Sequence, residues 1–272
     1  LSRSQRYRCG YLCTDYEVLL DDGGVWTLKS FVFVYQDDRY GAMLFDTGSP
    51  TAPQKTLADL KRYFGLEAGD IRWVFNTHLH IDHVGLNLHL PDATAVFSKR
   101  ELQFTTRMVD AARTAETFYD FMMEHCPGYR DGFGPGNSEL MRREVLAYWP
   151  GEDRFRDFDI RFIEDSPAIP ECVVPIPAVG HTFDHYMYRL DTSETVYWIV
   201  GDAVYNRLEY IYHDDLPDSP QADPARYMRT KAYIKEKEGV VVPGHDRPFR
   251  TATLRAFKKP LIADAMARET AE

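Results

Sequence analysis

Three histidines and an aspartate are packed into one short run, Thr77-His78-Leu79-His80-Ile81-Asp82-His83. Histidine makes up 9 of 272 residues, so three at set positions have a chance of about 4 × 10⁻⁵ per window, and coincidence explains the run poorly. Imidazole nitrogen and carboxylate oxygen are ligands of divalent transition metals. The run follows an apolar strand, Arg72 to Asn76. If strand geometry persists, His78 and His80 point to one side, while Asp82 and His83 enter a turn and address a second point. One short loop can then serve two neighbouring ions.

Two ions need more ligands than this loop offers, and candidates recur at later strand ends. His181 follows the strand Val173 to Pro177, Asp202 ends the strand Val196 to Gly201, and His245 ends Val240 to Val242. A glycine stands beside each one (Gly180, Gly201, Gly244), which suits a sharp turn at a strand end. Seven nitrogen and oxygen donors without a thiolate suit Zn²⁺, and equally Fe or Mn. A pair of such ions lowers the pKa of a shared water and polarises an acyl or phosphoryl oxygen, so hydrolysis is the reaction class.

The set His78-x-His80-x-Asp82-His83, His181, Asp202 and His245, with Phe45-Asp46-Thr47-Gly48 before it, resembles the metallo-β-lactamase superfamily over roughly residues 30 to 250. The resemblance implies an αββα sandwich of two mixed sheets flanked by helices. It also implies one metal held by His78, His80 and His181, a second held by Asp82, His83 and His245, and Asp202 between them. Asp46 would orient the ligands. Aspartate at position 202 argues against the antibiotic-hydrolysing class with cysteine there, and against the class that lacks a bridging carboxylate. Gly201-Asp202-Ala203-Val204-Tyr205 is similar to N-acyl homoserine lactone lactonases, which carry a tyrosine three residues after the bridging aspartate. The implied reaction opens a lactone by attack of a hydroxide shared between the metals. Tyr205 would donate to the carbonyl oxygen and Asp82 would return a proton to the leaving alkoxide. A glyoxalase II-like thioesterase would use the same metals with another pocket, and a sulfur dioxygenase would use a single iron.

The elements that must position these residues fall into two strand-rich halves. Tyr16 to Leu20, Ser30 to Tyr35 and Ala42 to Phe45 read as antiparallel strands joined by hairpins. Apolar spacing in Ala52 to Phe64 predicts a helix stopped by Gly65. Ile160 to Ile163, Val173 to Ile176, Tyr186 to Leu190, Val196 to Val200 and Val240 to Val242 form the second half, with helices over Pro224 to Glu238 and Thr253 to Arg268. Between the halves, Lys99 to Trp149 predicts two or three helices broken by a loop at Pro127 to Gly136. We read residues 1–272 as one domain and this segment, about 99–149, as a helical cap inserted in it, longer than a simple connection requires. Its stripe from Phe104 to Met123 reads first as core. His89, His125 and His213 read as ordinary polar groups, His185 as either a neighbour of the ligands or an ordinary buried hydrogen-bonding histidine, and Lys258 to Glu272 as a solvated helix face.

Composition supports a small-molecule enzyme. Hydrophobic residues make up 44% and charged residues 27%, which is ordinary for a globular chain and excludes extensive disorder. A net charge of -10 repels phosphate backbones, so nucleic acid is an unfavoured partner. No apolar run approaches the ~18 residues of a membrane span. Four cysteines without zinc-ribbon spacing, and a Leu1 to Tyr11 segment lacking a signal-peptide core, point to a reducing, cytoplasmic setting. The expected partner is a small ester or lactone.

Overall fold

In a computed structural model, residues 7–19, 24–126, 135–212 and 221–253 are described. The chain opens with a long hairpin, β1 (Tyr7–Leu19) and β2 (Val25–Asp37), paired from Tyr7 with Asp37 to Leu19 with Val25. β3 (Gly41–Phe45) adds to it antiparallel, and β4 (Ile71–Phe75), β5 (Thr94–Phe97) and β6 (Asp159–Phe162) follow in parallel. The second sheet holds β7 (Val173–Pro177), β8 (Tyr186–Asp191), β9 (Val196–Gly201), β10 (Val240–Pro243) and β11 (Phe249–Arg250), in the order β11-β10-β9-β8-β7.

Both sheets are apolar on two faces, which is why their strands read as dense hydrophobic runs. Along β2 and β3, Phe33, Tyr35, Met43 and Phe45 face the second sheet and meet Tyr188, Leu190, Ile199 and Val242. The alternate residues Val32, Val34, Ala42 and Leu44 face outward onto Leu60 and Phe64 of α1 (Pro53–Phe64). The second sheet repeats the pattern, with Met187, Trp198, Val200 and Val241 packed outward. There they meet Tyr210 of α6 (Arg207–Tyr212) and Ile234 of α7 (Pro224–Lys235). The result is the helix–sheet–sheet–helix sandwich expected from the motif set.

Between β5 and β6 lie α3 (Lys99–Ala111), α4 (Ala115–His125) and α5 (Pro135–Tyr148), preceded in the chain by the single turn α2 (Ile81–Val84). Ser98 caps α3 by accepting from the Arg100 and Glu101 amides, and Thr114 caps α4 through the Thr117 amide. The three helices share a cluster of Met108, Ala112, Phe118, Met122, Val145 and Trp149, which also takes in Ile81 of α2. Residues 127–134 of the anticipated loop lie outside the described residues, as do His213 and nearly all of the helix anticipated from Thr253.

Several strands depart from the sequence reading: β2 begins at Val25 rather than Ser30, and β11 was not anticipated. β1 begins nine residues before Tyr16, because an edge strand needs few apolar side chains and Arg8, Gly10 and Asp15 hide its period. β5 is four residues long and central, too short to separate by periodicity from the Leu90-Pro91 turn before it. All four cysteines are free thiols. Among the described residues no helix is long and apolar enough to cross a membrane.

Candidate metal centre

β9 and β10 run parallel with Gly201 opposite Pro243, so Asp202 and His245 emerge side by side from one edge of the second sheet. β7 delivers His181 to the same edge by the loop after Pro177. The first sheet brings its own ligands from the end of β4. Here the geometry differs from the sequence reading: β4 stops at Phe75, His78 sits in a bend, and His80 is the N-cap residue of α2. The turn of α2, not a continued strand, then carries Asp82 and His83 inward. The Tyr188 hydroxyl donates to the Asn76 carbonyl at 2.9 Å, and the Tyr186 amide to the Thr77 carbonyl at 2.8 Å, tying the histidine loop to the opposite sheet.

All seven candidate ligands meet. His78, His80, His181 and Asp202 offer ligand atoms within 4.8 Å of one another, and so do Asp82, His83 and His245. Asp202 touches both groups: Oδ2 is 3.3 Å from His181 Nε2 and 3.0 Å from His245 Nε2, while Oδ1 is 3.2 Å from His83 Nε2. His89 and His125 join neither group.

Each ring is oriented from behind. His83 Nδ1 is 2.9 Å from Asp46 Oδ2, His245 Nδ1 donates to the Lys29 carbonyl at 2.7 Å, and His78 Nδ1 lies 3.0 Å from Thr77 Oγ1. The Thr77 hydroxyl and amide in turn donate to Asp46 at 2.9 and 2.8 Å. His181 Nδ1 has two partners at 3.2 Å, Gln221 Oε1 and the Tyr205 hydroxyl. With the outer nitrogens so engaged, the Nε2 lone pairs of His78, His83, His181 and His245 face inward. His80 is the exception: its Nδ1 lies 3.0 Å from His181 Nε2. The Asp82 carboxylate is fixed by a 2.7 Å hydrogen bond from Ser30.

The donor set fits divalent cations. His78 Nε2, His83 Nε2 and Asp202 Oδ1 are buried and make no hydrogen bond, although the last two are in contact. A buried polar atom left in that state costs about 1–3 kcal/mol, which a coordinated ion would remove. Burial pulls His78 and His181 well below the usual imidazole range and His80 to about 4, so their lone pairs are open at neutral pH. Burial also opposes charge on Asp202, yet His245, His83 and His181 hold it far below the ordinary carboxylate range. His83 is raised well above normal, because Asp202, Asp82 and Asp46 outweigh its burial. A proton there occupies the place that a cation would take.

Space at the centre is tight. A side chain on Gly244 would place its Cβ 1.9 Å from Asp202 Oδ1, and one on Gly201, whose φ is 50°, would lie 2.3 Å from Thr77 Oγ1. Glycine at these positions therefore serves close approach as much as turning.

Several positioning residues were not evident beforehand. Ser30 and Gln221 sit far from the motifs in sequence, and only the fold brings them in. Thr77 adjoins the histidine run, and that adjacency is the signal that could have found it. Glu101 of α3 is fully buried, accepts from the Asp184 amide at 2.9 Å, and is pushed up to about 7 by its burial. His185 is buried with its ring stacked 4.9 Å from His78.

The Metallo-beta-lactamase superfamily model matches residues 25–245. The chain belongs to that superfamily. It is 31% identical to human Metallo-beta-lactamase domain-containing protein 1 over 229 residues, 81% of this chain and 63% of that protein, so it spans less than two thirds of this relative's length. It is 26% identical to the N-acyl homoserine lactonase AttM of Rhizobium johnstonii over 208 residues, 75% of this chain and 68% of that one. Among solved structures, AidC, a dizinc quorum-quenching lactonase, aligns over 90% of this chain and 89% of its own with a TM-score of 0.61 and 13% identity. The hydrolase AbOPH aligns over 89% of both chains with a TM-score of 0.59 and 16% identity. At such identities these structures speak for the fold.

Proposed function

We propose that the chain is a dinuclear metal-dependent hydrolase that opens a lactone. The carrying observation is the pairing of two three-histidine-or-aspartate groups across one shared carboxylate, Asp202, with Tyr205 beside them. In this reading His78, His80 and His181 hold one ion, Asp82, His83 and His245 hold the second, and Asp202 is common to both. Zinc is the first choice for a nitrogen and oxygen set, with Fe or Mn as the alternatives. When bound, such ions supply an activated water and polarise the ester carbonyl.

The chain's own groups do the rest. Tyr205 stacks its ring on His245, with centroids 5.0 Å apart, and holds its hydroxyl 3.2 Å from His181 Nδ1. A phenol oxygen that accepts from Nδ1–H is oriented by that bond and remains a donor, suited to a carbonyl oxygen that gains charge. Asp82, oriented by Ser30, is the carboxylate that carries a proton to the leaving alkoxide. The offset of Tyr205 from Asp202 and the likeness to AttM and AidC both favour a lactone.

The helices α3 to α5 act as a cap that selects the substrate. A narrow pocket opens from His80 and His181 and is walled by Phe104, Met108, Met122 and Trp149. Its apolar wall suits a substrate with a hydrocarbon or aryl part. The test is a panel of lactones, thioesters and phosphodiesters on protein of measured metal content. Lactone opening that outpaces the other classes supports the assignment, and rapid thioester cleavage without lactone opening overturns it in favour of a thioesterase.

A further inference from the structure

The interior behind Tyr205 holds a charge pair. Glu209 of α6 is 4% exposed, and Lys231 and Tyr227 of α7 are 1% and 0% exposed. Lys231 Nζ lies 3.0 Å from Glu209 Oε1, and the Tyr227 hydroxyl donates to the same oxygen at 2.6 Å. The other oxygen, Oε2, accepts the backbone amide of Tyr205 at 2.6 Å. Burying two charges is costly, and apolar residues would join α6 to α7 at least as well. What the carboxylate adds is a fixed position for the groups bonded to it.

The bonded group leads directly to the metal centre. The Tyr205 carbonyl accepts the His245 amide at 2.9 Å, and its hydroxyl reaches His181. α7 also holds the His181 loop, since the Asp223 amide donates to the Gly180 carbonyl and Thr230 Oγ1 to the Val179 carbonyl, each at 2.9 Å. One helix thus sets both ends of the Tyr205 to His181 contact. We propose that Glu209, neutralised by Lys231, is a positioning residue that fixes the Tyr205 turn and so aims its hydroxyl at the reacting carbonyl. The inference rests on the assignment of Tyr205 as a donor to substrate.

A set of neutral and charged replacements tests it. In Glu209→Gln the single carbonyl oxygen is claimed by the Lys231 ammonium, which can only donate, and the Tyr205 amide loses its acceptor. Adding Lys231→Met returns that oxygen to Tyr205. The pair Glu209→Leu with Lys231→Met is neutral but offers no acceptor. Amide hydrogen exchange at Tyr205 should accelerate at least tenfold in Glu209→Gln and in the Leu/Met pair, and return to near wild type in the Gln/Met pair. Lactone kcat should fall ten- to a hundredfold in the first two with KM little changed, and add no further loss on top of Tyr205→Phe. Unchanged exchange at Tyr205 in Glu209→Gln overturns the proposal. Accelerated exchange with unaltered kcat upholds the positioning and instead removes Tyr205 from the reaction. If the Leu/Met pair fails to fold, Glu209→Gln and its rescue by Lys231→Met still decide the matter.

Discussion

Asp46→Asn keeps the shape of the side chain and reverses two of its three hydrogen bonds. The Asp46 carboxylate accepts three bonds, from the Thr77 amide at Oδ1 and from Thr77 Oγ1 and His83 Nδ1 at Oδ2. An amide retains the first through its oxygen and presents NH₂ to the other two. His83 Nδ1 must then accept, which moves its proton to Nε2 and closes the lone pair aimed at the second ion. Thr77 Oγ1 also becomes an acceptor and turns its own proton toward His78 Nδ1, so His78 suffers the same tautomer change. Loss of an orienting partner typically costs 10- to 100-fold in metal affinity, or about 1.4 to 2.7 kcal/mol. Because Asp46 reaches one histidine of each group, both ions should weaken. Competition against a chromophoric chelator measures each affinity, and histidine ¹⁵N spectra of the metal-free protein report which ring nitrogens carry protons. Wild-type affinity at both sites, or weakening confined to one with both histidines still protonated at Nδ1, would refute the reasoning.

Tyr205→Phe should slow lactone opening by roughly 10- to 100-fold, less than a lone oxyanion donor would cost because the metals share the task. Its metal content should stay unchanged, since Gln221 still engages His181 Nδ1; wild-type turnover would remove Tyr205 from the mechanism. Met122→Ala enlarges the cavity and should shift relative kcat/KM toward bulkier acyl groups, and an equal loss for every substrate would mark Met122 as core only. Chelation should lower Tm, because the ions bind the folded state alone: at one hundred times Kd the linkage is worth about 2.7 kcal/mol, or roughly 5 to 11 °C at this size. An unchanged Tm in a scan with excess chelator would show that no stabilising ion had been bound.

Much of the fold was legible because both sheets are sandwiched, so their strands are apolar runs broken by Gly and Asp. The seven candidate ligands that the fold brings together stood out for a related reason: polar residues with metal-binding atoms are conspicuous at the ends of apolar strands. Long-range partners could not be read that way. Ser30, Gln221 and Glu209 are ordinary polar residues in sequence, and their work depends on which strand or helix end lies beside which. Local geometry also misled at one point. The histidine run follows a strand, and a period of two predicts His78 and His80 on one side, yet the chain leaves the strand at Phe75, before either histidine, and uses the α2 turn to aim Asp82 and His83.

Elemental analysis of protein purified without chelator and supplied with transition metal addresses the central claim most directly. Two ions per chain are predicted for the wild type, with a fall in occupancy of both in Asp202→Ala, whose carboxylate touches both groups. Fewer than one ion per wild-type chain after supplementation would contradict the dinuclear centre.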